Sequence, residues 1–355
     1  MNDGKLHDVY NNPSMQKLRE SFIKGEKPKE CYWCWKEEST GTQSFRQRYI
    51  KRTLKTQYDI DLDVINGVPE DYMDHMEYMT VQETSTPELL DLKLSNTCNL
   101  KCRMCSPMAS SLIGKEMGVY DPYWSENKIV GTDNEDSFFN NILPNVREIE
   151  LTGGEPFFSN ENQQLLLQIS ETEHVNNIDK IHITTNGMVY SKRLFTALDK
   201  FRRVKIAVSV DDVGPRLAYA RHGANWNTIK NNIVKYLEHP NVEVDLTRTI
   251  SSLNILHLDE LEDAAKEIGV KLSSAFLHEP HYLGIQHLPS EVKKMISSEL
   301  GNNYITMFMN GVNDFDEKNE NTHKFLAEMR KLDAIRNESF EDTFPELYDL
   351  ISWVE

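Results

Sequence analysis

The feature that most constrains this chain of 355 residues is a cysteine-rich loop at residues 98–105. Cys98, Cys102 and Cys105, three of the five cysteines, are spaced C-x3-C-x2-C. An apolar-alternating stretch before them, 89–95, predicts a strand that leads into the loop. Three thiolates can hold three irons of a four-iron cluster and leave the fourth iron open to another ligand. A closed structural zinc site would need four protein ligands, so the fourth ligand, or its absence, is the central question.

Composition and charge narrow the class of protein. The composition is that of an ordinary soluble globular protein, and no apolar run reaches membrane-spanning length. Five cysteines, three of them crowded together, are poor material for a disulfide framework and favour a reducing cytoplasm. The formal net charge of −17 disfavours general nucleic-acid binding, because such a surface repels phosphate backbones.

From about residue 89 the sequence alternates between strand and helix patterns. The predicted strands are 89–95, 146–152, 180–185, 204–210, 242–250 and 271–277, and the predicted helices between them are 161–172, 191–200, 226–238 and 256–268. The strand segments are apolar and β-branched, as expected for strands covered on both faces. This alternation implies parallel pairing through right-handed crossovers. The predicted fold class is therefore α/β, a partial (β/α)6 TIM-like barrel with its chemistry at the carboxyl ends of the strands.

The flanking sequence divides the chain into three predicted regions. Residues 1–87 form a small N-terminal α-rich segment, 88–288 the partial barrel, and 289–355 a helical C-terminal tail. Helices are predicted at 13–24, 290–300 and 323–336 from the spacing of apolar residues. The acidic stretch 59–88, broken by Gly67-Val68-Pro69, is expected to lead into the barrel.

Polar residues and glycines stop each apolar strand at the same end of the predicted barrel. Besides the cysteines, these strand ends carry Thr152-Gly153-Gly154-Glu155-Pro156, Asn186, Ser209 with Asp211, Arg248, and His278 with Glu279, His281 and Tyr282. Two adjacent glycines expose backbone groups to a ligand without obstruction by side chains. The residues after the sixth strand are candidates to contact substrate, or they cap the barrel with ordinary hydrogen bonds.

The cysteine loop and Gly153-Gly154-Glu155-Pro156 together resemble the radical S-adenosylmethionine (SAM) superfamily over about residues 88–280. The resemblance implies that Cys98, Cys102 and Cys105 ligate a [4Fe–4S] cluster whose open iron binds the amino and carboxylate groups of SAM. One electron from a reductant such as flavodoxin or ferredoxin would then cleave SAM to methionine and a 5′-deoxyadenosyl radical. That radical removes a hydrogen atom from a substrate, while the barrel orients the reactants.

The resemblance also assigns SAM-binding roles to residues at the strand ends. These are Met104 near the adenine, Gly153, Gly154 and Glu155 at the methionine amino group, and Asn186, Ser209 and Asp211 at the ribose or methionine. Arg221 or Arg248 is a candidate partner for the SAM carboxylate, since a guanidinium suits a carboxylate well. The alternative for either arginine is a surface ion pair.

Cys31 and Cys34 form a second, shorter motif near the N-terminus. With Asn12-Pro13-Ser14-Met15 before it and Phe344-Pro345-Glu346-Leu347 in the tail, it resembles radical SAM proteins with a SPASM or twitch-type auxiliary segment placed before the barrel. Such relatives supply further cysteines, but here none precedes Cys31, so an auxiliary iron–sulfur cluster would need non-cysteine ligands such as His7 or a partner chain. The alternative is a segment without metal, held by packing of Trp33 and Trp35.

The leading hypothesis is a cytoplasmic radical SAM enzyme that acts on a peptide, with a small nucleoside, sugar or other metabolite as the alternative substrate. Expected partners are the substrate and a reductant, with no membrane. A second class of hypothesis is a non-catalytic iron–sulfur or zinc protein for binding or electron transfer. The Gly153–Pro156 motif separates the two classes, because an electron carrier does not need a site for the SAM methionine.

Overall fold

The computed structural model describes residues 8, 10–39, 44–50, 86–119, 138–301, 303–311 and 320–354. By its internal contacts the chain divides into two compact units, Met1–Pro87 with Asp133–Asn145, and Glu88–Thr132 with Val146–Glu355. His7 and most of the acidic stretch 59–88 lie outside the described residues. No described helix combines the length and the apolar character needed to cross a bilayer.

In the first unit, the regular secondary structure of the described residues is helical. Helix α1 (Pro13–Ile23) begins where the Asn12 side chain accepts a hydrogen bond from the Met15 amide, with Pro13 at its first position. A 3-10 turn at Lys29–Cys31 leads directly into α2 (Tyr32–Ser39). Residues 138–145 form further short helical turns. The predicted helix at 13–24 is confirmed.

The second unit is built on a six-stranded parallel sheet, which confirms the α/β class and the partial barrel. In sheet order its strands are β1 (Leu89–Leu92), β3 (Glu148–Leu151), β4 (Lys180–Thr185), β5 (Val204–Ser209), β7 (Val242–Ile250) and β8 (Lys271–Phe276). A separate antiparallel ribbon pairs β2 (Lys101–Cys102) with β6 (Arg221–His222). This ribbon was not predicted, because two residues are too few to show a period of two.

Helices alternate with the strands as predicted. In the second unit they are α3 (Ser111–Met117), α4 (Asn160–Ser170), α5 (Lys192–Leu198), α6 (Gly214–Ala220), α7 (Trp226–Leu237), α8 (Leu258–Ile268), α9 (Ser290–Leu300), α10 (Tyr304–Gly311), α11 (Glu320–Arg336), α12 (Phe340–Thr343) and α13 (Pro345–Ile351). The short helices α3 and α6 were missed. Both follow loops whose polar residues hide a helical period.

The two faces of the sheet differ in character. One face is apolar, and Ile149, Ile183 and Leu246 on it are completely buried. The opposite face carries polar side chains, among them Lys205 and Asp245, whose Nζ and Oδ2 atoms are 2.7 Å apart. The expectation that both faces are apolar and covered was therefore wrong. The strands alternate between the two characters, as in sheets with one face turned to the core.

The C-terminal helices share a core with the carboxyl ends of the strands. Ile250 and Leu277, from the ends of β7 and β8, belong to the same buried cluster as Phe325, Met329 and Phe344 from the C-terminal helices. This packing holds the tail against the end of the sheet where the cysteine loop emerges.

Candidate functional site

The cysteine loop and the double-glycine loop lie in direct contact. The amides of Gly154 and Glu155 donate hydrogen bonds to the carbonyls of Ser95 and Thr97, at 2.9 and 2.8 Å. A Cβ atom at Gly154 would lie only 2.3 Å from the Thr97 carbonyl oxygen, and Gly153 has a φ of +110° that L side chains rarely adopt. Both glycines are therefore required for the strand-end loop to approach the segment that leads into Cys98.

Glu155 organises this junction through a buried carboxylate. One of its oxygens accepts hydrogen bonds from the Thr185 hydroxyl (2.6 Å) and the Phe157 amide (3.0 Å), and the other from the Asn186 amide (2.6 Å). Burial raises the pKa of Glu155 to about 7, although these hydrogen bonds oppose the shift. The Asn186 side chain in turn donates to Oδ1 of Asn99, at 2.7 Å, and so links β4 to the cysteine loop.

The three loop cysteines are free thiols. Cys102 is buried, whereas Cys98 and Cys105 are partly exposed, and the Leu100 amide donates to Cys98 Sγ at 3.5 Å. Burial raises the pKa of Cys98 to about 11, while a hydrogen bond from Cys105 lowers the pKa of Cys102. The three thiols lie on one loop beside Gly153 and Gly154, which we call the glycine cradle and where a Cβ atom would have no room. They form a donor set that fits a cluster with one iron open to an outside ligand.

Arg221 and Asp211 pair with each other beside Cys102. The ribbon places Arg221 on β6 directly opposite Cys102 on β2. Nε of Arg221 donates to Oδ2 of Asp211 at 2.7 Å, and its Nη1 lies 4.0 Å from Cys102 Sγ. The other carboxylate oxygen of Asp211 accepts the Thr249 amide at 2.9 Å. Arg221 is thus a buried group at the cysteine loop and does not form a surface ion pair.

Arg248 is engaged on the helix-covered side of β7. Its guanidinium donates to the Leu258 carbonyl (2.6 Å) and to the side chains of Glu262 (3.0 Å) and Ser274 (3.2 Å). The structure therefore groups Arg248 with α8 and not with the cysteines. Its SAM-carboxylate role remains a prediction, as does the ribose role of Ser209, which lies at the end of β5 in register with Thr247.

A cavity of about 690 Å³ adjoins the cysteine loop. Its lining includes Cys102, Met104, Cys105, Glu279, Tyr282, and residues of α3 and α11. Met104 is partly buried against the core that contains Leu277. Two of the residues predicted after the sixth strand, Glu279 and Tyr282, thus reach the same cavity as Met104.

Arg103, between the second and third cysteines, is the main site residue that the sequence did not reveal. Its side chain is fully buried, 2.6 Å from Asp333 and 2.9 Å from Glu338, and its guanidinium lies 3.4 Å from the centre of the Tyr219 ring. The Tyr219 hydroxyl donates to the same Asp333 oxygen at 2.8 Å. Arg103 therefore ties the cysteine loop to the C-terminal helices.

A second ion-pair group reinforces that connection. Glu116 on α3 accepts from Arg336 on α11 and from Lys101 on β2, each at 2.6 Å. Burial opposes ionisation, but the two cations together lower the pKa of Glu116 to about 2.

The Cys31–Cys34 segment has different surroundings. Cys31 ends the 3-10 turn and Cys34 lies in α2. Trp35 is packed, with Nε1 donating to the Pro28 carbonyl at 2.8 Å and its ring 6.2 Å from that of Phe22, whereas Trp33 is 70% exposed. Within the described part of the chain, no three His, Cys, Asp or Glu side chains converge on a position for a single metal ion. An auxiliary cluster remains a prediction.

Residues 92–268 match the family model described as the Radical SAM superfamily. Among curated relatives, a probable GTP 3′,8-cyclase of Methanococcus aeolicus is 23% identical over 258 residues, 70% of this chain and 77% of the relative. The GTP 3′,8-cyclase of Aquifex aeolicus is 28% identical over 139 residues, which cover 39% of each chain.

Solved structures with a similar fold include anSMEcpe with bound AdoMet, with a TM-score of 0.46 and 18% identity over 63% of this chain and 62% of that chain. Another is SuiB of Streptococcus suis bound to its precursor peptide SuiA, with a TM-score of 0.41 and 16% identity over 79% of this chain and 59% of that chain. The chain thus spans less than two thirds of either solved structure.

Proposed function

The chain belongs to the radical SAM superfamily, and from that membership we propose that Cys98, Cys102 and Cys105 hold the [4Fe–4S] cluster at which this enzyme cleaves SAM. The observation that carries the proposal is the hydrogen-bonded contact between the segment entering Cys98 and the Gly153–Glu155 loop. An iron–sulfur protein that only carries electrons does not need a close-packed glycine loop beside its cysteines. When bound, the cluster supplies the single electron that cleaves the SAM sulfonium.

The residues of this chain have separate tasks in the proposed reaction. Gly153 and Gly154 let the strand-end loop pack directly against the segment that enters Cys98, and Glu155 fixes this loop against β4. Met104 contributes an apolar wall to the cavity beside the third cysteine. The barrel thereby orients SAM and the hydrogen donor and keeps the radical away from competing reactions.

We propose a small polar metabolite of the nucleotide class as the substrate. Two observations support this class. The curated relatives matched in sequence are GTP 3′,8-cyclases, and the sheet face opposite the apolar core carries polar side chains toward the carboxyl ends of its strands, such as Ser209 and Thr247. A few polar groups in a binding site fix the orientation of a polar ligand by hydrogen bonds.

A peptide is the second candidate, and the cavity beside Met104 favours it. Several apolar side chains of α3 and α11 line that cavity, and Met117 and Ile335 among them are more than half exposed. Extended peptides bind through pockets for individual side chains along such grooves.

The test of the reaction is anaerobic reconstitution with iron and sulfide, followed by SAM and dithionite. We expect 5′-deoxyadenosine, measured by chromatography, in wild-type protein and none in the Cys98→Ala variant. Wild-type protein that loads a cluster but forms no 5′-deoxyadenosine, while a control radical SAM enzyme does so under the same conditions, would overturn the proposal.

The test of the substrate class is isotope transfer. GTP and other nucleotides deuterated at carbon, and a set of deuterated peptides, are supplied separately with SAM and reductant. A nucleotide substrate should place deuterium in 5′-deoxyadenosine and accelerate its formation about tenfold or more over the rate without substrate. Deuterium transfer from a peptide only would replace the nucleotide assignment with the peptide one.

A further inference from the structure

Arg221 brings a buried positive charge to the cysteine loop, and its pairing with Asp211 beside Cys102 is not required by the SAM-carboxylate role that the resemblance implies. The residue is 9% exposed and lies opposite Cys102 across the β2/β6 ribbon. Because this register is set by backbone pairing, the side chain starts from a fixed position beside the second cysteine. Burial is costly for an unpaired guanidinium, so its position calls for a compensating partner.

Asp211 is that partner, and it also fixes the direction of the guanidinium. Asp211 is 2% exposed and accepts Nε of Arg221 at 2.7 Å on one oxygen and the Thr249 amide at 2.9 Å on the other. Its backbone carbonyl accepts the Asn254 side chain at 2.9 Å. With Nε held in this way, Nη1 lies 4.0 Å from Cys102 Sγ.

The arginine remains charged in this environment. An arginine guanidinium does not lose its proton in proteins, and the Asp211 carboxylate at 2.7 Å compensates its buried charge. The guanidinium presents Nη1 to the Cys102 sulfur and binds its counter-ion Asp211 through a different nitrogen, Nε. The pair is therefore an oriented dipole with its positive pole toward Cys102.

We propose that Arg221, positioned by Asp211, raises the reduction potential of the cluster held by the cysteine loop. The inference rests on the proposed function, since it requires that the cluster is bound there. Reduction adds a negative charge to the cluster, and a nearby buried cation stabilises the reduced form more than the oxidised form. Net charge and hydrogen bonds to the sulfurs are among the factors that set the potentials of iron–sulfur clusters. In this role Arg221 does not contact SAM or the substrate; it acts only by changing the reduction potential of the cluster.

The proposal can be distinguished from a role of Arg221 in binding the SAM carboxylate, because the two roles affect different measured quantities. A partner for the SAM carboxylate changes SAM affinity and leaves the potential of the SAM-free cluster unchanged. A charge that acts on Cys102 changes that potential in the absence of SAM. The decisive readout is therefore a redox titration of reconstituted protein without SAM, monitored by the electron paramagnetic resonance signal of the reduced cluster.

The first variant is the neutral pair Arg221→Gln with Asp211→Asn, which removes both charges and avoids leaving either one buried alone. At a fixed ambient potential we expect the ratio of reduced to oxidised cluster to fall about tenfold, a shift of about 59 mV for a one-electron couple. Arg221→Lys keeps the charge and should stay within about threefold of wild type, by the same conversion less than half that shift.

Asp211→Asn alone should shift the reduction potential in the opposite direction. It also keeps the proposal testable if the double variant fails to fold. The asparagine oxygen can still accept the Thr249 amide, while the charge of Arg221 loses its counter-ion, so the potential should rise. The matched control is Arg248→Gln, which removes a buried arginine that is bonded to Glu262 and Ser274. Its potential should equal that of wild type.

A potential that is unchanged in Asp211→Asn or in the neutral pair, with the cluster loaded, would overturn the inference. If SAM affinity fell in the same samples, Arg221 would belong to the SAM site. Failure of wild-type protein to assemble any four-iron cluster is a different result, because it would refute the proposed function before Arg221 is tested.

Discussion

Two parts of the molecule carry the same C-x2-C spacing, and their surroundings differ. Cys102 and Cys105 lie on a loop with a third cysteine, beside a glycine cradle and a buried arginine. Cys31 and Cys34 lie on a short turn and helix, where Trp35 supplies the packing. The same spacing of two thiols thus occurs in two different structural settings.

The difference lies in what holds each pair of cysteines. The loop at 98–105 is fixed by contacts with β3, β4, β6 and the C-terminal helices, all distant in sequence. Among the described residues, the contacts around Cys31 and Cys34 are local, such as the Trp35 to Pro28 hydrogen bond. A preorganised loop can present thiolates to a cluster in a defined geometry. Folding has already ordered its backbone, so cluster binding does not require a further loss of conformational entropy.

Removal of the cysteines gives the largest expected contrast between the two regions. The Cys98/Cys102/Cys105→Ala variant should lose the cluster, so iron falls from about four per chain to near zero and 5′-deoxyadenosine formation stops. The Cys31/Cys34→Ala variant should keep both. Iron analysis after anaerobic reconstitution decides the point. About four irons left in the triple variant would place a cluster at Cys31 and Cys34, and would refute the prediction that only the 98–105 loop holds one.

Loss of Arg103 tests whether the tail holds the loop. Arg103→Met leaves Asp333 and Glu338 without their buried partner, so we expect a loss of about 3–5 kcal/mol in the free energy of unfolding. Arg202→Met breaks an exposed pair with Asp179 and should cost at most about 1 kcal/mol. Urea denaturation of the two variants provides the measurement. Equal, small losses would show that the tail does not stabilise the loop.

A methyl group at Gly154 tests the glycine cradle. Gly154→Ala places a Cβ atom 2.3 Å from the Thr97 carbonyl oxygen, so the two loops must separate. We expect a loss of about 1–3 kcal/mol in stability and poor iron incorporation. In the control Gly114→Ala the nearest atom is 3.1 Å away in a helix, where alanine is favoured. If Gly154→Ala incorporated as much iron as that control, close packing at Gly154 would not be needed for cluster binding.

The smallest expected effect is the pH dependence of Glu116. Its pKa is about 2 in the folded chain, below the ordinary value of 4.5, so ionised Glu116 stabilises the fold above pH 4.5. That contribution is lost as the pH falls from about 4.5 toward 2. Glu116→Gln should therefore lower stability by about 1–3 kcal/mol at neutral pH, and the difference from wild type should shrink in acid. Unfolding curves at pH 7 and about pH 4 test this sign; a difference that grows in acid would contradict it.

The sequence by itself determined the six parallel strands. It also determined that the cysteine loop at 98–105 and the glycine loop at 153–155 lie side by side. Apolar, β-branched runs that end in polar residues are local signals, and each run can be recognised without reference to the rest of the chain. Cys98, Cys102 and Cys105 with Gly153 to Glu155 also formed a specific pattern. Their adjacency in space follows from the order of the parallel strands β1 and β3.

Only the tertiary structure decided which charged side chains meet at the site. Arg103 lies 230 and 235 residues from Asp333 and Glu338, and no local pattern joins them. Arg221 and Arg248 looked equivalent in sequence, yet strand parity directs Arg248 to α8 while the ribbon β2/β6 directs Arg221 to Cys102. A buried charge takes its partner from whatever the packed chain brings within a few ångströms, and that requires the complete fold.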